Sequence, residues 1–232
     1  MILTPEEWSI VKLSLSVAIL ATLLCLPIGI GLAWLIARKK FWGKSILNSL
    51  IHLPLVLPPV VTGYLLLLTF GKNGAIGKWL LETLNFTFAF RWTGAALAAG
   101  LMALPLMVRA VRLSMEAIDQ NFLDAAAVSG ASRIQTFAHI ILPLSAPGIA
   151  VGTILTFIKA LGEFGATITF VSSIPGETQT LSLAIHSLLQ TPDGDPAAWR
   201  LIIVSLALAA VALLISEYIE KYLLQRIQLP RH

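Results

Sequence analysis

The sequence predicts an all-α integral membrane protein with five transmembrane helices and a two-helix loop between the third and the fourth. Of its 232 residues, 57% are apolar and only 12% are charged, whereas a soluble domain carries about 25% charged residues. Five apolar runs are long enough to cross a hydrocarbon core of about 30 Å, which requires roughly 20 helical residues. The length leaves room for one membrane domain and little else.

The five predicted spans are residues 13–37, 46–70, 93–111, 144–171 and 201–219. Residues 1–12 precede them, residues 112–143 form the long loop, and residues 220–232 form a basic tail. Ten basic residues lie near one set of span ends, namely Arg38, Lys39, Lys40, Lys44, Arg109, Arg112, Arg133, Lys221, Arg226 and Arg231, and four near the other, namely Lys72, Lys78, Arg91 and Arg200. Since cytoplasmic loops are enriched in Lys and Arg, we expect a periplasmic N-terminus, a cytoplasmic loop and a cytoplasmic C-terminus.

Composition also argues against a nucleic-acid partner, a cysteine-based site and a cleaved signal peptide. The basic residues lie at span ends rather than on one face, so the net charge of +4 indicates topology and not a nucleic-acid partner. Cys25 is the only cysteine, which argues against a disulfide framework or a metal cluster. Glu6 and Glu7 stand where a basic n-region would lie, so we expect no cleaved signal peptide.

The second span contains Pro54, Pro58 and Pro59. Each proline removes a backbone donor and clashes with the preceding turn, which predicts a helix that is kinked or locally open. Freed carbonyls are tolerated at membrane depth only where protein or a water-filled cavity satisfies them. A simple packing kink and a pathway-lining helix both remain open, and three prolines within six residues favour the pathway.

Residues 71–78 are glycine-rich but do not match a phosphate-binding loop. Five residues separate Gly71 from Gly77 where four are needed, and Trp79 replaces the required Ser or Thr. We therefore expect any ATP hydrolysis to come from another subunit.

The fourth span begins with Gly148 and Gly152 at the spacing of close helix packing. Its 28 residues would form a helix of about 42 Å, which is longer than a membrane needs and predicts tilt or a break at Gly162 or Gly165. Beyond it, residues 172–177 predict a turn, and residues 180–190 a helix too short to span the membrane.

Lys159 and Glu163 are ionisable residues inside this span, where such groups are costly and usually functional or paired. They are four residues apart and can pair with each other, although Lys before Glu is the weaker order. A structural ion pair and a direct part in transport both remain open.

The long loop is predicted to form two short helices. Gly130 can adopt the left-handed conformation that ends the first helix, Ser132 and Gln135 form a capping box that begins the second, and Pro143 closes the segment. In the second helix, an apolar face repeats at helical spacing through Ile134, Phe137, Ala138 and Ile141. Such a helix lies on lipid or docks into a partner's groove, and the small side chains of residues 125–127 favour docking.

The spacing of this loop resembles the cytoplasmic coupling loop of ABC importer permeases. The matching residues are Asp124, Ala125, Ala126, Gly130, Ile140, Leu142 and Pro143, with Asp124 where the family usually has Glu. Residues 52–64 and 161–178 resemble the permease subunit of bacterial molybdate ABC importers, whose close relatives are sulfate and thiosulfate permeases. The resemblance implies a type I permease of the inner membrane.

The resemblance also implies the partners. They are a second permease copy, two cytoplasmic ATPase subunits that hold ATP and Mg²⁺, and an external molybdate-binding protein. It implies no cofactor on this chain, and a cargo of molybdate with tungstate as a second substrate. A sulfate, thiosulfate or general oxyanion permease remains an alternative, and so does a passive anion channel, although a channel needs no coupling loop.

A membrane enzyme is a weaker hypothesis, because the polar residues Lys12, His52, Lys159 and Glu163 match no catalytic or metal-binding spacing. Hydroxyl groups instead suggest a route for the anion, with ordinary helix packing as the alternative reading. The candidate pathway residues are Pro54, Pro58, Pro59, Thr62, Tyr64, Lys159, Glu163, Thr167 and Thr169.

Overall fold

The computed structural model describes residues 3–227, and within that range every regular element is helical. The helices are α1 (Pro5–Arg38), α2 (Lys44–Val56), α3 (Pro59–Phe70), α4 (Ala75–Leu84), α5 (Trp92–Glu116), α6 (Gln120–Val128), α7 (Arg133–Thr136), α8 (Leu142–Leu144), α9 (Ala146–Leu161), α10 (Gly165–Val171), α11 (Leu181–Leu188) and α12 (Asp195–Ile227). A π-helical turn, Phe137–Ile141, joins α7 to α8. The predicted all-α class is confirmed.

Three helices in the described range are long and apolar enough to cross a membrane, namely α1, α5 and the Asp195–Ile219 part of α12. Two bent pairs pass the same test, so the number of spans is five if each pair counts as one. The predicted tail begins inside α12, which continues to Ile227. Residues 228–232, with Arg231, lie outside the described residues, as do residues 1–2 and the side chain of Arg226.

Helix α5 is the centre of the bundle. In its most apolar segment 67% of the residues are buried, against 33% in α1 and 17% in α12. Small residues of α9 let that helix pack closely on α5, because a Cβ atom at Gly152 would lie 3.1 Å from Met107 Sδ, and one at Gly148 would collide with Ser114. The close packing predicted from the spacing of these two glycines is confirmed.

The second predicted span, expected to be kinked or locally open, is broken into two helices. Helix α2 ends at Val56, α3 begins at Pro59, and the bend between them is 113°. Leu57 is extended, with ψ 144°, as a residue before a proline prefers. Pro59 occupies the first position of α3, where a missing N–H has no consequence. The location of the break follows from the prolines, while its angle was not predicted.

The fourth predicted span, residues 144–171, begins at a bend and is interrupted once along its length. Residues Arg133–Leu144 and α9 meet at a bend of 68°, and the chain breaks again between Leu161 and Gly165. Of the predicted alternatives, tilt or a break at Gly162 or Gly165, the break is confirmed. The loop segment ends at Leu144, one residue beyond the end predicted at Pro143.

Two short helices lie at the end of the bundle opposite the loop. Helix α11 lies within the predicted range 180–190 and packs inward, since Leu181 and Leu183 are buried and the Leu181 N–H donates to Ser14 Oγ at 2.7 Å. Helix α4 was not predicted, because its glycine-rich beginning obscures the helical pattern. Hereafter the loop end is the end formed by residues 38–44 and 117–143.

Candidate functional site

The loop has the two-helix geometry that its sequence predicts. Asp119 Oδ1 accepts the Asn121 N–H at 2.9 Å and caps α6. Gly130 has φ +75°, the left-handed conformation expected of it. Ser132 Oγ accepts the Gln135 N–H at 3.3 Å, and Gln135 Oε1 accepts the Ser132 N–H at 2.8 Å, so the predicted capping box is confirmed. These local bonds define the loop without help from another chain.

The seven residues of the loop motif differ in exposure. Four of them are exposed, namely Asp124, Ala125, Gly130 and Pro143, whereas Ala126 is buried, and Ile140 and Leu142 are half-buried. Asp124 Oδ1 accepts a hydrogen bond from Gln120 Nε2 at 3.0 Å, one turn earlier on α6. The acidic position therefore lies on the surface of the loop, with its carboxylate held by its own helix.

The apolar face predicted for the second loop helix divides into two parts. Ile141 is buried, and Phe137 packs against Trp34 of α1 with ring centroids 5.2 Å apart, so this part fastens the loop to the bundle. Ile134 is 80% exposed. Val128 and Phe122, which the sequence reasoning missed, are 90% and 53% exposed. We call Phe122, Val128 and Ile134 the loop surface.

The two broken spans meet at close range near their breaks. A Cβ atom at Gly63 of α3 would lie 2.5 Å from the Ala166 carbonyl oxygen and 2.8 Å from Thr169 Cβ. A Cβ atom at Gly165 of α10 would lie 2.7 Å from Pro59 Cβ. We call this contact of α3 and α10 the junction. Glycines here allow one broken helix to rest directly on the backbone of the other.

Lys159 and Glu163 form an ion pair beside the junction, as their spacing allows. Lys159 Nζ lies 2.6 Å from Glu163 Oε2, and Glu163 Oε1 accepts the Ala166 N–H at 3.1 Å. Glu163 is 3% exposed, whereas the Lys159 side chain is 32% exposed. The carboxylate therefore joins the end of α9 to the first turn of α10. The ammonium group keeps one side accessible.

The hydroxyl candidates have different surroundings. Thr167 Oγ1 donates to the Phe164 carbonyl at 2.8 Å, and Thr169 Oγ1 donates to the Gly165 carbonyl at 2.9 Å, so both are bonded within their own segment. Thr62 Oγ1 is buried with no hydrogen-bond partner among the described residues. Tyr64 is 54% exposed, unlike the buried Thr62 and Thr167.

The prolines fall on both sides of the break in the second span. Pro59 contacts the junction, Pro58 precedes it and is exposed, and Pro54 is half-buried within α2. The described residues include no group of three His, Cys, Asp or Glu side chains that could hold a metal ion. The polar groups at and beside the junction are therefore the accessible ammonium group of Lys159, the buried carboxylate of Glu163 and the threonine hydroxyls.

The sequence is similar to known transport permeases over most of its length. The pattern of the family described as "Binding-protein-dependent transport system inner membrane component" matches residues 26–225. The chain is 56% identical over 221 residues to the molybdenum transport system permease protein ModB of Escherichia coli (strain K12), covering 95% of this chain and 96% of that protein. It is 52% identical over 215 residues to ModB of Haemophilus influenzae, covering 93% and 94% of the two chains.

The sulfate transport system permease protein CysT of Escherichia coli (strain K12) is more distant. It is 35% identical over 214 residues, which cover 92% of this chain and 76% of that protein.

The fold is shared with solved transporters. A bacterial ABC transporter involved in the import of the acidic polysaccharide alginate gives a TM-score of 0.75 at 19% identity, covering 95% of this chain and 80% of that chain. The inward-facing MetNI methionine ABC transporter gives a TM-score of 0.68 at 12% identity, covering 94% of both chains. The chain therefore belongs to the family of binding-protein-dependent transport system inner membrane components, and within it groups with the ModB molybdenum permeases.

Proposed function

We propose that this chain is the permease subunit of an ATP-driven importer that carries molybdate, and also tungstate, across the inner membrane. The observation that carries the proposal is the capped loop with an exposed apolar surface, in a chain 56% identical to a molybdenum permease. The identity of 35% to a sulfate permease is lower, which favours molybdate over sulfate as the cargo.

The loop surface is the contact for a cytoplasmic ATPase subunit. Val128 and Ile134 are apolar and almost fully exposed, and exposed apolar side chains on a short helix suit docking into a groove of a partner. The loop is fastened to the bundle through the buried Ile141 and through Phe137, which packs on Trp34, so a displacement of the loop reaches α1. The seven motif residues, from Asp124 to Pro143, are the coupling element in this proposal.

The assembled transporter contains two copies of this chain, two ATPase subunits with ATP and Mg²⁺, and a periplasmic molybdate-binding protein. This chain binds no cofactor and contributes no catalysis. Its N-terminus faces the periplasm, and the loop and C-terminus face the cytoplasm, because ten of the fourteen basic residues near span ends lie on the loop side.

Translocation uses the junction in this proposal. The accessible ammonium group of Lys159 attracts the dianion, and Glu163 competes for the same group at 2.6 Å, so the anion is held weakly and released readily. Closure of the ATPases on two ATP molecules pulls the loop and switches the two permeases between inward-facing and outward-facing states. A decisive switch needs about 5.5 kcal/mol of differential binding, which nucleotide at a dimer interface can supply.

The test is ATP-dependent uptake of radiolabelled molybdate into vesicles that contain the permease, its cognate ATPase and its binding protein, with excess sulfate as the competitor. We expect uptake that resists sulfate. Equal competition by sulfate would indicate a general oxyanion importer instead, and absence of ATP-dependent uptake would contradict the proposal.

Two substitutions at Gly130 serve as controls for that experiment. Gly130→Pro cannot adopt φ +75° and should abolish uptake. Gly130→Asn tolerates the left-handed conformation and should retain most of it.

A further inference from the structure

A basic cavity of about 690 Å³ lies at the loop end, between the last turn of α1 and the two loop helices. Four cationic side chains line it, namely Arg38, Lys39, Lys40 and Arg133. Among the residues that the structure places around the cavity, none is acidic. The loop surface does not include these residues, and their charge calls for an anionic occupant.

The cations nearest the bundle are held in place. One guanidinium nitrogen of Arg38, Nη2, donates to the carbonyl oxygen of Met115. Lys39 Nζ lies 4.9 Å from the centroid of the Trp34 ring, a cation–π contact. Both side chains are therefore preorganised by α1 and α5 before any ligand arrives.

The other two cations of the cavity are unpaired among the described residues. Lys40 and Arg133 are exposed and form no ion pair within residues 3–227. Two unpaired cations beside Arg38 and Lys39 suit a ligand with several charged acceptor oxygens, because charge-assisted hydrogen bonds are the strong ones.

The position of the cavity relative to the membrane indicates the source of that ligand. Phe41 and Trp42 follow Lys40 directly and are 38% and 97% exposed. Trp is enriched where a span meets the headgroup region, and α1 is an apolar span that ends at Arg38. The cavity thus lies at the height of lipid phosphates.

We infer that this cavity binds a tetrahedral oxyanion, and that its occupant is the phosphate of an anionic phospholipid. A free oxyanion, either phosphate or the transported molybdate, has the same chemistry and is the competing source. A bound lipid would connect the end of α1 to the loop helices. The inference does not depend on the transport function, because binding is measured without uptake.

The test uses the full-length permease in nanodiscs of phosphatidylglycerol and phosphatidylcholine, with the retained lipid counted by native mass spectrometry. The variant is Lys40→Gln/Arg133→Gln, whose two side chains are exposed, so the fold is preserved. The matched control is Lys72→Gln, an exposed cation at the opposite end. We expect about 30-fold weaker retention of phosphatidylglycerol in the double variant, because the loss of each basic residue near an anionic surface weakens binding about fivefold. The control should match the wild type.

A second arm measures the binding of inorganic phosphate and of molybdate by calorimetry, in phosphatidylcholine nanodiscs alone. Free-ion binding that is lost in the double variant, with no selective lipid retention, would assign the cavity to a free oxyanion and overturn the lipid assignment. Equal lipid retention and equal ion binding in the wild type and the double variant would overturn the anion site altogether.

Discussion

The loop surface exposes apolar side chains, whereas the junction buries polar ones. Val128 and Ile134 are 90% and 80% exposed, while Glu163 and Thr167 are 3% and 1% exposed. Both oxygens of the Glu163 carboxylate have partners within this chain, whereas Val128 and Ile134 are left almost fully exposed. The ion pair beside the junction is therefore satisfied within a single chain, and the loop surface is left exposed, as the proposed docking of another subunit requires. Substitutions at the junction should change stability, and substitutions at the loop surface should change coupling alone.

The largest expected effect on stability is at the ion pair of the junction. Lys159→Met leaves a carboxylate that is 3% exposed without its counter-ion, and breaking a buried pair costs about 3 kcal/mol. Thermal unfolding in detergent would measure it.

Two further variants sharpen that measurement. Lys159→Met/Glu163→Gln removes both charges and should recover most of the loss. Lys78→Met breaks an exposed pair at 3.8 Å and should change the free energy of unfolding by less than about 1 kcal/mol. Equal losses for Lys159→Met and Lys78→Met would mean that the buried pair is no more important than a surface pair.

A smaller loss is expected where the two broken helices touch. Gly63→Ala places a Cβ atom 2.5 Å from a backbone oxygen of α10, and overpacking of this kind costs about 2 kcal/mol. Gly31→Ala is the matched control, because a Cβ atom there has nothing within 4 Å and Ala favours the helix by up to about 1 kcal/mol. The same unfolding assay applies. Unfolding of Gly63→Ala at or above the wild-type temperature would show that the junction is loosely packed.

The smallest effect is expected in the loop itself. Ser132→Ala removes the acceptor for the Gln135 N–H, a loss of about 1 kcal/mol that is confined to the first turn of α7. Faster hydrogen exchange at the Gln135 amide should report it, with global unfolding unchanged. Ser129→Ala removes a hydroxyl that bonds the Ala125 carbonyl instead, so exchange at Gln135 should stay as in the wild type. Unchanged exchange in Ser132→Ala would mean that the cap does not hold the turn.

The features that could be predicted from the sequence are local ones. The left-handed glycine at 130, the capping box of Ser132 and the pairing of Lys159 with Glu163 are local features, whose partners lie within five residues. Their geometry follows from spacing alone, and the structure contains each of them. Apolar runs likewise predict spans, because the only requirement is that the run is long enough to cross the hydrocarbon core of the bilayer.

The features that were missed depend on distant contacts. Prolines predict the loss of a donor but not the 113° bend, which is accompanied by the packing of Gly63 on Ala166, about a hundred residues away. Exposure of Phe122 and Val128 cannot be read from periodicity, because each side chain belongs to α6, whose apolar positions divide between bundle and solvent.

The most direct test of the central claim is the transport activity of Val128→Ser/Ile134→Ser in the assembled transporter. Both side chains are exposed, so we expect an unchanged unfolding temperature, about tenfold weaker association with the ATPase and loss of ATP-dependent molybdate uptake. Ile76→Ser, at the other end and 44% exposed, is the matched control and should transport normally. Full uptake and unchanged ATPase association in the double variant would contradict the assignment of the loop surface as the coupling contact.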